Sequence, residues 1–377
     1  MKISKVFVIG LAVMAMTILL GYAANAQERM DTISAPGQSL PQPRVVKGPV
    51  HVGYCAPDMT AESSQRDWWH AQIEIAHRKW KVSQVLDAGD ATKQQNAMKI
   101  MIDKGVDAIV IVYWQMEPLR DLILEARKKG IGVYCVDTEL RPGVLVNTTQ
   151  PNGVVGATMA YYIIDRLEGR GNVAILNLTY HILRQRCYVA KALFDSRIDW
   201  PSLNCVGMED MPVPGWERRA FDQTTGWLQK YGKKLNAVFA GWDTPGIFAA
   251  RAIEAYGHTR KDTFVTGIDG GSEAYDMIRA GSPFIATMSQ PFEEYVHNLF
   301  EVIEQVQVKG IGIGEKDSML PPYRVIYSRP VLTTPDNLPP LGMNIHAVFG
   351  ETYYDPNNKE AWYNWGTAYK ITSAAKK

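Results

Sequence analysis

Residues 107–137 read DAIVIVYWQMEPLRDLILEARKKGIGVYCVD and contain the unit from which the fold follows. An apolar, β-branched run at Ala108–Val112 is followed by an amphipathic stretch at Leu119–Lys129, by Gly130, and by a second apolar run at Val133–Val136. Apolar runs separated by a helix-length amphipathic segment predict parallel strands that are buried on both faces. A glycine at this point is typical of a helix C-terminus. The stretch therefore predicts a strand, a helix and a parallel strand of an α/β fold.

The same alternation continues on both sides of this unit. In the first half we expect further strands at Val50–Tyr54, Val82–Leu86 and Val144–Val146, and helices at Asp67–Trp80 and Thr92–Lys104. In the second half we expect helices at Gly153–Leu167, Leu183–Phe194, Gly215–Tyr231, Pro245–Tyr256, Ser272–Ala280 and Phe292–Gln307, and strands at Asn172–Leu176, Leu203–Met208, Ala237–Ala240, Thr263–Gly267 and Ile285–Met288. The pattern predicts two doubly wound parallel-sheet lobes.

Length and composition agree with two globular lobes. A chain of 377 residues suits two domains of ordinary size. With 46% hydrophobic and 21% charged residues, the composition argues against a disordered chain, a coiled coil or a polytopic membrane protein. Lys plus Arg number 40 and Asp plus Glu number 39, so there is no basic excess to neutralise a phosphate backbone. We therefore expect no nucleic-acid partner.

The first segment has the features of a secretory signal. Lys2 and Lys5 precede an apolar run at Val6–Leu20, and Ala24-Asn25-Ala26 supplies the small residues of a signal-peptidase site. A single membrane anchor is the alternative, but the run is shorter than the roughly 20 apolar residues that a spanning helix needs. We expect cleavage after Ala26 and a free, exported protein.

Two further segments lie outside the predicted lobes. Residues 27–47 are polar, contain three prolines and show no helix or strand period, which predicts a flexible tether. Residues 333–377 are rich in aromatic side chains: Tyr353, Tyr354, Trp362, Tyr363, Trp365 and Tyr369. This extension either packs over one lobe or forms a surface for a partner.

The four cysteines are too few and too widely spread for a disulfide scaffold. Cys55 and Cys135 lie in or beside predicted strands, so we expect buried free thiols. Cys187 and Cys205 could form a disulfide in an exported chain, and the sequence leaves that pairing open.

Polar side chains follow several predicted strands, at the sheet edge where ligands of open parallel sheets bind. Asp137, Asp243 and Asp269 each follow a strand, and Gln290 follows another. One such Asp is usually a turn or cap former. Together with Arg186 in a nearby helix, the set supplies fixed acceptors and donors for a polar ligand.

Tryptophans accompany these polar groups and could stack on a sugar ring or a flat ligand. A predicted buried stripe on the first helix consists of Trp69, Ile73, Ala76 and Trp80. It leaves Trp68 free to face a cleft, the alternative being that both tryptophans are in the core. The candidate ligand-binding residues are Arg66, Trp68, Trp69, Asp137, Arg186, Trp216, Trp242, Asp243, Asp269 and Gln290.

In this order, the motifs resemble those of periplasmic binding proteins of the ribose-binding cluster, which have the type I periplasmic-binding fold. The resemblance runs from about Val50 to Tyr327. The matching motifs are Trp68-Trp69, Asp137 in Val-Asp-Thr, Arg186, Phe239-Ala240-Gly241-Trp242-Asp243, Gly267-Ile268-Asp269-Gly270 and Thr287-Met288-Ser289-Gln290. The resemblance implies two lobes that close by hinge motion on a small ligand such as a sugar or polyol.

Two departures from the resemblance concern the ligand. Trp242 stands where close ribose binders carry Asn, and Thr138 stands where they carry Arg. The identity of the sugar therefore does not carry over. With Trp216 nearby, we expect a pocket that is more aromatic than a small pentose requires.

The sequence offers little for catalysis or for a cofactor. We find no convincing nucleophile with its base, no metal cluster and no carboxylate pair arranged for acid–base chemistry. His70, Glu74 and His77 share one helix face and could bind a metal, but a solvated polar face is the preferred interpretation. We therefore expect a non-enzymatic protein without cofactor or bound metal.

The resemblance implies a monomeric periplasmic protein that delivers its ligand to the membrane permease of an ABC importer. The alternative is a sensing subunit that docks on a membrane histidine kinase or chemoreceptor. We expect lobe one at 48–149 and 291–319 and lobe two at 150–290 and 320–332. The three crossings of the hinge are then near Thr149, Gln290 and Met319.

Overall fold

The computed structural model describes residues 40–178, 180–212, 215–312, 324–350, 354–365 and 370–371. They form two α/β lobes, each built on a six-stranded sheet. The predicted signal at residues 1–26 lies outside the described residues. No helix in the described ranges is long and apolar enough to cross a membrane.

The sheet of lobe one has six strands, all parallel, in the order β11-β5-β4-β3-β1-β2. They are β1 (His51–Cys55), β2 (Lys81–Val85), β3 (Ala108–Val112), β4 (Gly132–Val136), β5 (Val146–Thr149) and β11 (Val325–Tyr327). The helices of this lobe are α1 (Glu62–Arg78), α2 (Ala91–Asp103), α3 (Arg120–Lys128) and α9 (Phe292–Ile303).

Lobe two repeats the design, with the strand order β12-β10-β9-β8-β6-β7 and only β12 antiparallel to its neighbour among the described strands. Its strands are β6 (Arg170–Asn177), β7 (Ser202–Asp210), β8 (Leu235–Ala240), β9 (Phe264–Asp269), β10 (Phe284–Ser289) and β12 (Val331–Thr333). Its helices are α4 (Asn152–Arg166), α5 (His181–Phe194), α6 (Trp216–Tyr231), α7 (Asp243–Ala255) and α8 (Ser272–Ala280).

The unit at residues 107–137 forms as its sequence predicts. Every residue of β3 and β4 is buried, because helices cover both faces of the sheet. Ile123 and Ala126 of α3 pack into the same apolar cluster as Ile109 and Val133 of these strands. Gly130 follows the helix with a φ of +75°, a left-handed conformation that glycine adopts without steric cost.

The chain crosses between the lobes three times within the described sheets. Two crossings follow β5 and β10, at the predicted positions near Thr149 and Gln290. The third lies between β11 and β12, around Ser328, whose backbone N–H donates to Thr149 O at 2.8 Å. Val325–Tyr327 therefore belongs to lobe one, and its predicted place in lobe two is wrong. The predicted crossing at Met319 lies outside the described residues.

Helix α1 begins at Glu62, earlier than the predicted Asp67, and buries a different face. Trp69 is 41% exposed and Ala76 is exposed, so the predicted stripe is wrong. The buried face carries charged and polar side chains: Ser64, Arg66, Asp67, His70 and Glu74. The four titratable groups, Arg66, Asp67, His70 and Glu74, are paired with each other or with other elements, so hydrophobicity alone could not identify their face.

The predicted solvated face on α1 is also wrong in two of its three residues. His70 is 3% exposed and Glu74 is 0% exposed, whereas His77 is exposed. Glu74 contacts His70 on its own helix and His297 on α9. The burial of this carboxylate therefore depends on partners that are distant in sequence.

The segment before β1 is held against lobe one over its described part. Backbone N–H groups of Arg44 and Val46 donate to Gly130 O at 2.9 Å and to Gln307 O at 2.6 Å. The Arg44 guanidinium pairs with Asp107 at 2.7 Å. The predicted tether is therefore wrong for these residues, because hydrogen bonds invisible to composition fix them.

The C-terminal extension contacts both lobes. Ile345 and Ile371 are buried against Tyr275 of α8 in lobe two. Trp362 stacks on His297 of lobe one, with ring centroids 4.7 Å apart, and Trp365 stacks on His77 at 3.6 Å. The extension therefore packs over both lobes, whereas the sequence suggested packing over one.

All four cysteines lie in the described residues and are free. Cys55 and Cys135 are buried thiols, as predicted. Cys187 is on the buried face of α5, and Cys205 is half-buried in β7. The disulfide that the sequence left open is therefore not formed in this structure.

Candidate ligand-binding site

A cleft lies between the two lobes, where the strand ends of both sheets face each other. Its cavity volume is about 180 Å³. Lobe one contributes the turn after β1, the first turn of α1, and the ends of β3 and β4. Lobe two contributes the starts of α5, α6 and α7 and the end of β9.

Six of the predicted site residues line this cleft: Asp137, Arg186, Trp216, Trp242, Asp269 and Gln290. They come from elements that are far apart in sequence. They meet because parallel strands place the residues that follow them at one edge of each sheet.

Asp137 and Arg186 form a buried pair across the cleft. Arg186 Nη2 lies 3.4 Å from Asp137 Oδ2, and each side chain is 1% exposed. Asp137 follows β4 with a φ of +45°, a conformation that Asp tolerates better than most residues. Thr149 donates its hydroxyl to the Asp137 carboxylate. Thr149 of the same lobe thus orients the Asp137 carboxylate, and Arg186 of the other lobe neutralises its charge.

Lobe two fixes the guanidinium of Arg186 independently of Asp137. Arg186 Nε donates to Asn152 Oδ1 at 2.6 Å, and Nη1 donates to Gly241 O at 3.1 Å. Gly156 on α4 lies against the Arg186 backbone, where an added Cβ would come within 2.2 Å of its carbonyl oxygen. This close approach of α4 and α5 positions the arginine at the base of the cleft.

Asp269 and Gln290 form a second polar pair beside the hinge. Gln290 Nε2 donates to Asp269 Oδ1 at 2.6 Å, and Arg186 Nη1 lies 3.9 Å from the same oxygen. Asp269 retains 18% exposure of its side chain, more than Asp137. Burial and the nearby Asp243 carboxylate raise the pKa of the Asp269 carboxyl well above its usual range. A ligand that donates hydrogen bonds would stabilise the ionised form.

The opposite part of the cleft is aromatic. The rings of Trp216 and Trp242 meet edge to face, with centroids 6.2 Å apart. Trp242 also packs against a small apolar cluster formed by Leu178, Ile182 and Leu183. Trp216 Nε1 is buried without a hydrogen-bond partner among the described residues, so it can donate to a ligand.

Residues 59–309 match a family model described as a periplasmic binding protein domain. The chain belongs to this family. The match covers most of both lobes, including every residue of the polar group at the base of the cleft.

Two relatives with named ligands align with part of this chain. The xylitol-binding protein of Mycolicibacterium smegmatis is 28% identical over 207 residues, which are 53% of this chain and 56% of that protein. The ribose import binding protein of Bacillus subtilis is 25% identical over 224 residues, 58% of this chain and 69% of that protein. The chain thus aligns with little more than half of the first relative.

Solved structures of solute-binding proteins share the fold. One from Agrobacterium vitis, with bound allitol, has a TM-score of 0.66 at 21% identity and covers 77% of this chain and 96% of its own. The 5-methylthioribose transporter solute-binding protein of Thermotoga lettingae has a TM-score of 0.68 at 20% identity and covers 86% and 95%. The type I periplasmic-binding fold suggested by the sequence is therefore confirmed.

Four predicted site residues of this periplasmic binding protein lie outside the cleft lining. Because α1 starts early, its first turn reaches the cleft through Ser63 and Ser64. Trp68 packs against Tyr54 with ring centroids 4.8 Å apart, and Trp69 is 41% exposed. Arg66 is 1% exposed and pairs with Glu293 on α9 at 2.7 Å.

Asp243, the fourth, is 4% exposed and holds the turn after β9. Its Oδ2 accepts from the backbone N–H groups of Gly270 at 2.9 Å and Gly271 at 3.0 Å, and its Oδ1 accepts from the Thr287 hydroxyl. Burial raises the pKa of the Asp243 carboxyl to about 6, against the lowering effect of these hydrogen bonds. Asp243 therefore supports Asp269 indirectly through the turn.

Sequence reasoning missed three aromatic residues of the lining: Tyr113, Tyr180 and Phe292. Tyr113 directly follows β3 with a φ of +54°, and its hydroxyl contacts the buried Asp67. Tyr180 precedes α5, and Phe292 begins α9 after the hinge. The strand-end rule that identified Asp137 could also have identified Tyr113.

Proposed function

We propose that this protein is a solute-binding protein that captures a small hydroxylated ligand between its lobes and delivers it to an ABC importer. The observation that carries the proposal is the convergence of Asp137 from lobe one, Arg186 and Asp269 from lobe two, and Gln290 from the hinge. A ligand that contacts groups of both lobes binds the closed state better than the open one. Ligand binding then drives closure.

The donor and acceptor set favours a sugar or a polyol. Asp137 and Asp269 accept hydrogen bonds from hydroxyls, while Arg186 and Gln290 donate to hydroxyl oxygens. The names of relatives, which bind xylitol and ribose, support this ligand class. Trp216 and Trp242 give the cleft a second, aromatic part. We therefore propose a ligand that also presents a flat or apolar face, such as a pyranose or an alkylated sugar.

The cleft is better suited to binding than to catalysis. No histidine, cysteine or lysine is among the described residues that line it, so a cysteine or lysine nucleophile and a histidine base are missing there. The Asp137 carboxylate is engaged by Thr149 and Arg186. The proposed function therefore requires no chemical step.

The proposed function also includes export of the protein and transfer of its ligand to a membrane permease. We propose that the chain reaches the periplasm through a signal cleaved after Ala26 and acts there as a monomer. Its proposed partner is the membrane permease of an ABC importer, as for relatives whose names describe import binding proteins. Mass spectrometry of the amino terminus of the exported protein tests the cleavage position.

The decisive experiment is mass spectrometry of the small molecule that copurifies with the exported protein, followed by calorimetric titration of that molecule. We expect one sugar or polyol, bound at one site. Conversion of the bound molecule into a product would contradict the proposal. So would a protein that binds no member of a broad panel of sugars and polyols.

A further inference from the structure

A cluster of metal-ligating side chains lies outside the cleft, between α1 and α9. His70 and Glu74 are one helical turn apart on α1, and His297 is on α9. His70 Nε2 lies 2.9 Å and His297 Nδ1 lies 2.8 Å from the same oxygen, Glu74 Oε1. One ligand atom from each of the three side chains lies within 4.8 Å of the others. None of the three lines the cleft.

The carboxylate of this cluster is held in place by a second layer of contacts. The other oxygen of Glu74 is bound by the Arg78 guanidinium. Arg78 is in turn bound by Glu301 and by Glu304, the latter at 2.9 Å. Hydrogen-bonded carboxylate ligands of this kind are typical of metal sites, because outer partners fix the orientation of the ligand.

Aromatic rings of the C-terminal extension cover the two imidazoles. Trp362 stacks on His297 with planes 10° apart, and its edge meets His70 at 5.4 Å. His70 is 3% exposed and Glu74 is fully buried. The three ligand groups are therefore ordered before any ion binds, and the ordering cost of binding is small.

We propose that His70, Glu74 and His297 form a zinc site that fastens α1 to α9. Two imidazoles and one carboxylate are a ligand set that Zn²⁺ takes, with a fourth position for water. Zinc bonds of about 2.0–2.2 Å place tetrahedral ligand atoms about 3.3 Å apart. The two imidazole nitrogens, now 2.8 and 2.9 Å from the Glu74 oxygen, must move slightly away from it, and their distance from each other is at most 4.8 Å.

Zinc binding at this cluster needs no other reactant to balance protons or charge. In the hydrogen-bonded form, each neutral imidazole donates the proton on the nitrogen that faces Glu74. On binding zinc, that proton moves to the other ring nitrogen, His70 Nδ1 or His297 Nε2, so neutral histidines release none. The carboxylates of Glu74, Glu301 and Glu304 outnumber the two cations that pair with them, Arg78 and Lys309, which leaves local negative charge for a divalent ion.

The test is zinc binding by protein that carries no polyhistidine tag. The protein is treated with EDTA, incubated with Zn²⁺, desalted and examined by elemental mass spectrometry. We expect about one zinc ion per chain. We also expect the thermal unfolding midpoint to rise by about 3 °C or more in excess zinc. His70→Ala and His297→Ala should lose the ion and the shift.

His77→Ala is the matched control, because His77 is an exposed histidine on the same helix and is not one of the three clustered ligand groups. It should retain the zinc. If the alanine variants fold poorly, Glu74→Gln provides a near-isosteric change and should weaken zinc binding at least about tenfold. A wild-type protein without bound zinc would overturn the proposal, as would zinc retained in full by both His70→Ala and His297→Ala. The cluster would then be a hydrogen-bonded bridge between helices.

Discussion

Arg186 of the second lobe and Asp137 of the first lobe form a buried ion pair, with Nη2 and Oδ2 separated by 3.4 Å. A second contact between the lobes joins Glu62 to Ser272, whose backbone N–H donates to the carboxylate at 2.9 Å. Isolated charges are costly to bury, so each member of the first pair offsets the charge of the other. The two lobes therefore touch directly in this structure, through this ion pair and this hydrogen bond.

Replacing Asp137 by Asn should weaken ligand binding by about 10- to 100-fold. The amide preserves the shape of the side chain but removes the carboxylate nearer to Arg186, which leaves only Asp269 at 3.9 Å. Calorimetric titration with the copurifying ligand measures the effect. Asp222→Asn, on the exposed surface of lobe two, is the control and should bind as the wild type does. Equal affinity of Asp137→Asn and the control would contradict the role of the pair.

Replacing Asp269 by Ala should have the largest effect on affinity. Its carboxylate is the more exposed of the two, and its Oδ2 is free of intramolecular hydrogen bonds in the described contacts. It can therefore accept hydroxyls that would otherwise be buried unpaired. We expect a loss of roughly 2–4 kcal/mol, about 30- to 1000-fold in affinity. Calorimetric binding as tight as that of the wild type would contradict the assignment.

Replacing Asp243 by Ala should lower stability. The change leaves the backbone N–H groups of Gly270 and Gly271 without their acceptor in a buried turn. We expect the free energy of unfolding in urea to fall by about 1–3 kcal/mol. Asp222→Ala should stay within about 0.5 kcal/mol of the wild type. An unchanged stability of Asp243→Ala would show that the turn does not depend on this carboxylate.

The sequence predicted the fold and most of the polar site because both depend on local patterns. Buried apolar runs mark parallel strands, and strand ends place Asp137, Asp269 and Gln290 at one cleft. The sequence did not predict the buried face of α1, because that face is charged. The partners of Arg66 and Glu74 are Glu293 and His297, more than two hundred residues away. Such pairing cannot be read from periodicity, and the early start of the helix moved Trp68 and Trp69 away from the cleft.

Acid should loosen the C-terminal extension through His346. This side chain is 6% exposed, and its burial lowers the pKa from 6.5 to about 4, against the raising effect of Glu293. The unfolded chain therefore binds a proton that the folded chain does not, and stability is lost as the pH falls from 6.5 towards 4. We expect a loss of up to about 3 kcal/mol across this window.

Urea unfolding of wild type and His346→Gln at pH 7.5 and pH 4.5, in EDTA, measures the effect. Asp243 titrates in the opposite direction, because its raised pKa adds stability as the pH falls below about 6. Only the difference between the two proteins therefore reports on His346. The variant should lose less stability in acid than the wild type. If both proteins lost the same free energy of unfolding in acid, His346 would not contribute to the pH dependence of stability.

Trp242 should decide which ligands the cleft prefers. It lies in the cleft lining and meets Trp216 edge to face, and it packs against Leu178, Ile182 and Leu183, which also line the cleft. An indole offers one donor and a broad apolar face. Compared with an Asn at this position, Trp242 should therefore stack on a ligand ring and make fewer hydrogen bonds to ligand hydroxyls. We expect the wild type to bind ribose poorly and to prefer ligands with a flat or apolar face.

Titration of a sugar panel against wild type and Trp242→Asn checks this expectation. The variant should gain affinity for ribose and lose affinity for ligands with an apolar face, by about tenfold or more. Binding to the wild type should also quench tryptophan fluorescence, through Trp216 and Trp242 rather than Trp68, which packs on Tyr54 away from the cleft. Because the Trp242 ring also fills space beside Leu183, some loss of stability in the variant is expected and does not bear on specificity. Tight ribose binding by the wild type, or the same ranking of ligands in both proteins, would leave Trp242 with the packing role alone.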